Sequence, residues 1–148
     1  MATKPLPRIT PDTRTFWDGC AAGELRVQHC ASCARVQFPP AARCAGCGGP
    51  ELQWRTIAPH GEAPHGEVHS FTVVHRAPSD AFKAQVPYII ALVDLAPGAR
   101  LMVNVVDCEA QAMAIGMAVT LGFEERRDGD EVAWLPVARP ATDDCAGD

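Results

Sequence analysis

Two C-x-x-C pairs, Cys30-Ala31-Ser32-Cys33 and Cys44-Ala45-Gly46-Cys47, stand ten residues apart in a chain of 148. Each pair can wrap a tight knuckle that aims two sulfurs at one point, and the short stretch between them can fold the knuckles together. Four thiolates close a tetrahedral shell, so the spacing predicts one structural Zn²⁺ per chain, with no open position for water or substrate. A thioredoxin-like redox pair would use a single C-x-x-C at a helix start, and the second pair counts against it. Rubredoxin-like iron accepts the same four-sulfur cage and stays open as the alternative metal. Gly48 follows Cys47, as suits a knuckle, whereas Ala34 follows Cys33. Cys20, Cys108 and Cys145 lack such spacing and are expected to be small buried hydrophobes or incidental tail thiols.

The backbone composition selects the surroundings of that site. Thirteen prolines and 12 glycines punctuate the chain too often for a helical bundle and suit short strands and turns. Residues 1–9 read as a loose tail. Thr10-Pro11-Asp12 then forms a helix start, with Thr10 as cap and proline at the first helical position, and Gly23 can end that helix after Ala22. From Leu25 the apolar period changes to two, predicting strands at 25–30, 35–38 and 52–57 around the cysteines.

The pentapeptide Ala-Pro-His-Gly-Glu occurs twice in tandem, at 58–62 and 63–67. It predicts a linker over 58–66 between a helix-plus-ribbon unit (10–57) and a second unit (67–140). Beyond it, strands are expected at 68–75, 88–95, 100–106, 118–124 and 132–136, with a partly helical connection at 107–116 and a disordered acidic tail at 141–148. Five turn-linked strands over about 75 residues predict a small closed barrel, the OB-fold first and an SH3-like barrel as its geometric rival. The fold class is therefore mainly β: helix, rubredoxin-like zinc ribbon, five-stranded OB-fold.

Charge limits the partners. The net charge is −5, with seven Lys/Arg against four acids in residues 1–60 and six against fourteen in residues 61–148. A barrel this acidic argues against nucleic acid, which needs a basic face. The longest strongly apolar run, residues 88–93, is too short to cross a bilayer, and no signal-peptide pattern opens the chain, so a cytoplasmic location is expected. No catalytic motif presents itself. His60 and His65 lie in the duplicated segment. His69 and His75, six apart on one expected strand, would face the same side about 20 Å apart. Tyr88, Asp94 and Asp107 read as isolated polar groups.

Several features recur in a known order: Phe16-Trp17 on the helix, Gly23-Glu24-Leu25, the four-cysteine ribbon with Phe38-Pro39-Pro40 between its pairs, and Gly66-Glu67-Val68-His69-Ser70-Phe71-Thr72-Val73-Val74-His75. Pro87-Tyr88, Ala91-Leu92-Val93-Asp94-Leu95 and Ile115-Gly116-Met117-Ala118-Val119 complete the set. Together they resemble the zinc-ribbon/OB-fold proteins that accompany thiolases and act around acyl-CoA, over residues 12–140. The resemblance implies a small, usually non-catalytic subunit in a hetero-oligomer with a thiolase-like chain. Such partners include acetyltransferases of polyketide-like phenols, hydroxymethylglutaryl-CoA-forming assemblies and the retro-aldolases that cleave steroid side chains. The partner carries the chemistry, and the small subunit activates it and helps shape its acyl-CoA channel.

Two features depart from that pattern: the duplicated segment lengthens the joint between the modules, and the chain carries no fused hydratase domain, so activity would need separate polypeptides. Phe16, Trp17 and Phe38 are the candidate partner-binding residues, with packing onto the rest of this chain as the competing role for the Phe16-Trp17 pair. Arg35, Arg43 and Arg76 are candidates for CoA phosphates, against ordinary ion-pairing or solvated roles. The alternatives from other classes are a single-stranded nucleic-acid binder and a free-standing acyl-CoA binder.

Overall fold

The alternating run that begins at Leu25 becomes the centre of the first sheet. In the computed structural model, which describes residues 3–58, 62–96 and 98–141, β1 (Leu25–Cys30) pairs antiparallel with β2 (Val36–Gln37) on one side and β3 (Leu52–Ile57) on the other. Ahead of it lies α1 (Arg14–Ala21), shorter than the expected 10–22. Residues 11–13 form a hydrogen-bonded turn ahead of it, with the Thr13 and Arg14 N–H groups on the Thr10 carbonyl and the Thr10 N–H on Thr13 Oγ1 at 2.9 Å, and Thr13 takes the capping position. The other end follows expectation. Gly23 sits at φ +77°, and the Glu24 N–H returns to the Gly19 carbonyl at 2.8 Å.

The second unit is a closed five-stranded barrel of β4 (His65–Val74), β5 (Tyr88–Leu95), β6 (Ala99–Val105), β7 (Ala118–Asp128) and β8 (Glu131–Pro140), ordered β4-β5-β6-β8-β7. All neighbours are antiparallel except β6 and β8, whose parallel pairing is the Greek-key crossover of the OB-fold. On β5 and β6 burial alternates residue by residue, placing Ile89, Ala91, Val93, Leu101 and Val103 inside. The apolar run at 88–95 is thus a half-buried strand, with Ile90 and Leu92 turned outward.

Three sequence expectations change. β4 starts at His65, inside the expected linker, because His65 and Gly66 pair with Thr120 and Val119 of β7. Gly66 is needed there, since a Cβ would stand 2.6 Å from the Asp94 carbonyl oxygen. Residues 59–61 of the first copy, His60 included, and 142–148 of the tail, Cys145 included, lie outside the described residues. Next, a β-bulge between Val68 and Ser70 resets the alternation, and β4 ends at Val74, so His69 and His75 do not share a strand face by simple counting. Lastly, residues 3–9 are not a loose tail but run along the barrel, with Thr3 Oγ1 on Asp128 Oδ1 at 3.3 Å and Arg126 Nη1 on the Pro5 carbonyl at 3.2 Å.

The two units share one core. Phe16, Leu25 and Val27 from the first join Val93, Leu101 and Val119 of the barrel in a continuous cluster. α1 packs against β8, and Phe16 and Cys20 of the helix share the core cluster with Ala138 of that strand.

Candidate functional site

Each C-x-x-C pair folds into the same hydrogen-bonded turn. In the first, Ala34 N–H donates to the Cys30 carbonyl and Cys30 N–H to that of Arg35; in the second, Gly48 donates to Cys44 and Cys44 to Gly49. Both turns need a left-handed residue after the second cysteine, and Ala34 (φ 65°) and Gly48 (φ 75°) supply it. Alanine tolerates that conformation at a cost of about 1–2 kcal/mol.

The four sulfurs converge. Cys30 and Cys47 stand 3.6 Å apart, Cys33 and Cys44 3.5 Å, and all four lie within 4.8 Å of one another. A tetrahedral Zn²⁺ with bonds of about 2.3 Å sets its sulfurs about 3.8 Å apart, so these residues fit the ion. The donor set also favours the charged sulfur. N–H groups of Cys47 and Gly46 point at Cys44 and pull its thiol down to about 6, and the N–H of Cys33 lowers Cys30. Cys33 receives an N–H from Arg35, yet the Cys44 sulfur foremost, then desolvation and the sulfurs of Cys30 and Cys47, outweigh this and push it up to about 11. One cation at the centre removes that conflict by stabilising all four thiolates together. The ribbon is therefore a structural zinc site, with four protein ligands and no vacancy for catalysis.

A buried polar network beneath the second knuckle was not visible in the sequence. Gln28 and Gln37, cross-strand partners on β1 and β2, are 5% and 7% exposed. Gln37 Nε2 donates to Gln28 Oε1 at 2.8 Å, Gln28 clasps both the N–H and the carbonyl of Ala41, and Gln37 Oε1 accepts from the Ala45 N–H at 2.8 Å. These bonds fix the loop that carries Cys44. By alternation with Leu25 and Val27, and with Val36 and Phe38, both glutamines fall at polar positions, so the pattern carried no sign of their burial, and their pairing depends on register.

The aromatic candidates meet between the units. Phe16 lies 4.9 Å, centroid to centroid, from both Trp17 and Phe38. Phe16 itself is 2% exposed, so it supports the other two and presents no surface of its own. Trp17 and Phe38 are half-buried and line a groove of about 330 Å³ with Phe82, Tyr88, Leu135 and Asn104. The candidate arginines do not form one cluster. Arg43 Nη1 donates to the Gly48 carbonyl at 3.0 Å and Arg35 packs its stem over Gly46, so both brace the second knuckle. Arg76 sits in the loop after β4.

Asp94 is not isolated. Arg100 grips its carboxylate with Nε at 2.5 Å and Nη2 at 3.1 Å, and His69 Nδ1 stands 3.5 Å away. The Arg100 hydrogen bonds hold Asp94 below the ordinary carboxylate range. Asp107 likewise receives Arg139 Nε at 2.8 Å. Cys20 is buried, and desolvation pushes its thiol up to about 12, as befits an inert core residue. Cys108 differs from expectation, since it is not a free thiol.

Comparison with known proteins agrees with this architecture. Residues 17–53 match the family described as "ChsH2, rubredoxin-like zinc ribbon domain" and residues 63–124 that described as "ChsH2, C-terminal OB-fold domain". The chain is 36% identical over 140 residues, 95% of its length, to a probable enoyl-CoA hydratase alpha subunit of Thermomonospora curvata. It is 37% identical over 104 residues, 70% of either chain, to a DUF35 domain-containing scaffold protein of Methanocaldococcus jannaschii. A third relative, 34% identical over 88% of this chain, is the 3-oxo-4,17-pregnadiene-20-carboxyl-CoA hydratase alpha subunit of Mycobacterium tuberculosis. The chain spans 41% and 39% of the length of the two hydratase subunits. Among solved structures, a chain of the "Ltp2-ChsH2(DUF35) aldolase" superposes with a TM-score of 0.78 at 34% identity, covering 93% of this chain and 100% of that one. The four-sulfur ribbon, the barrel order and these likenesses together establish that the chain belongs to the ChsH2 (DUF35) family of zinc-ribbon/OB-fold proteins.

Proposed function

We propose that this chain is a non-catalytic accessory subunit that binds and activates a thiolase-fold acyl-CoA enzyme, an acyltransferase or a retro-aldolase of the kind that acts on steroid side chains. One observation carries the reading: the whole of the ChsH2 chain from an aldolase assembly superposes on this one, through both modules. The names of the curated relatives, a scaffold protein and alpha subunits of CoA-ester hydratases, point the same way. The zinc then serves shape: it locks the ribbon, the ribbon and α1 form one wall of the groove, and the barrel forms the other. Trp17 and Phe38 are the partner-facing candidates, supported by their partial exposure at that wall. An acyl-CoA channel shared with the partner would place Arg35, Arg43 or Arg76 near the CoA phosphates.

The test is co-expression with a thiolase-like chain encoded nearby in the source genome. Recovery of a stable complex of fixed stoichiometry, lost in a Trp17→Asp variant that still binds zinc, supports the reading. Two chains that elute separately at micromolar concentration overturn it.

A further inference from the structure

The N-terminal segment contributes a wall to the groove. Lys4 and Arg126 both line it, beside Trp17, Phe38 and Tyr88. They are brought together by the strap: Arg126 Nη1 holds the carbonyl of Pro5, the residue next to Lys4, while Lys4 Nζ lies 5.8 Å from the centre of the Phe82 ring. Neither cation belongs to any of the ion pairs among the described residues. Glu124 lines the groove too, so the three charges leave a net of one positive. Desolvation and the charge of Arg126 hold Lys4 below its ordinary value, against the opposing pull of Glu124. A groove of mixed lining that sets the rings of Trp17, Phe38, Phe82 and Tyr88 beside two incompletely neutralised cations is complementary to a molecule with an apolar body and one anionic group.

The size narrows the class. About 330 Å³ is at the lower end of the range for small-molecule sites, about 300–1,000 Å³. The protein's net charge of −5 disfavours an extended polyanion.

We propose that Lys4 and Arg126 recognise the anionic group of an apolar organic anion whose body lies against Trp17, Phe38 and Tyr88, with the strap of residues 3–9 as a working part of the site. The site shares Trp17 and Phe38 with the partner-facing wall of the accessory-subunit reading, but its recognition is a property of the isolated chain. Loss of complex formation with a thiolase-like partner would leave it untouched.

The test is displacement of a fluorescent aromatic sulfonate, anilinonaphthalene sulfonate, from the zinc-loaded full-length chain by decanoate and by decanol. The alcohol is the more apolar of the two, so burial alone favours it; recognition by the two cations reverses the order. Decanoate should displace the probe at concentrations about tenfold below those of decanol. The preference should fall to about twofold or less in Lys4→Met and in Arg126→Met, which keep an apolar stem and remove the charge. Lys4→Met alters only the strap and leaves every barrel strand unchanged, so it reads the site even if Arg126→Met lowers stability. Failure of the probe to bind, equal displacement by acid and alcohol, or an unchanged preference in Lys4→Met overturns the proposal.

Discussion

The barrel and the ribbon meet along one core yet reach order by different physics. In the barrel, inward positions on β5 and β6 are apolar one after another, and the strands close on themselves, so burial and backbone pairing suffice. In the ribbon, β2 is two residues long, the buried positions include Gln28 and Gln37, and four sulfurs that would repel as thiolates face one another. A sheet of that size cannot be stable on its own apolar area, and the ion supplies what the core lacks. The comparison separates two kinds of fragility: the barrel is sensitive to lost volume, the ribbon to lost ligands.

Removing the metal should have the largest effect. Structural zinc of this kind contributes about 10–16 kcal/mol at neutral pH, so chelation, or Cys44→Ser, should unfold the ribbon while the barrel strands persist. Near-ultraviolet circular dichroism in a Trp134→Phe background, which leaves Trp17 and Trp54 as the tryptophans, reports the first, and far-ultraviolet strand signal the second. Loss of both together would show that the barrel depends on the ribbon. Next comes barrel volume: Leu101, 1% exposed, truncated to alanine should cost about 2–5 kcal/mol, read as a fall in denaturant midpoint with zinc content unchanged.

Gln28→Ala should cost about 1–3 kcal/mol, because it leaves both polar groups of Ala41 without that partner and takes from Gln37 Nε2 one of its two acceptors, the Arg43 carbonyl being the other. Unlike the barrel variant, it should also raise the rate of zinc loss to a chelator, since the loop bearing Cys44 is freed. Ala34→Gly works in the opposite direction, relieving the left-handed alanine and stabilising the zinc-bound ribbon by about 1 kcal/mol. An unchanged melting temperature would mean that the knuckle tolerates alanine without strain.

The smallest effect belongs to the exposed Asp94–Arg100 contact on the barrel. Its folded pKa is depressed, so its stabilising contribution is present above the ordinary carboxylate range and disappears as pH falls through the folded value. Wild type and Asp94→Asn should therefore differ slightly at neutral pH and in low salt, and converge in acid. A difference that grows on acidification would contradict this assignment.

What could be read from the sequence was what is local. The knuckles are closed by residues two to five apart, so the cysteine spacing displayed them, and the left-handed Gly23 likewise needed no distant partner. What stayed hidden depends on register between distant segments. The Gln28–Gln37 network exists because β1 and β2 align those two residues. Asp94 found Arg100 across the β5–β6 pair, and the bulge at Val68–Ser70 that brings His69 beside it leaves no mark in composition. The strap was the plainest miss. Residues 3–9 have no periodicity, and their order comes from side chains of β7 more than a hundred residues away. Ala34 shows a further limit, since a missing glycine after Cys33 suggested an imperfect knuckle where the backbone is in fact equivalent to its partner.

Under the proposed function, this chain lends shape to chemistry carried by another. The most direct measurement is the acyl-CoA turnover of the proposed thiolase-fold partner with and without the zinc-loaded chain, alongside a Cys44→Ser control. The partner should be inactive or strongly impaired alone, the zinc-loaded chain should restore turnover, and the Cys44→Ser chain should not. A partner equally active in all three conditions would contradict the proposed function.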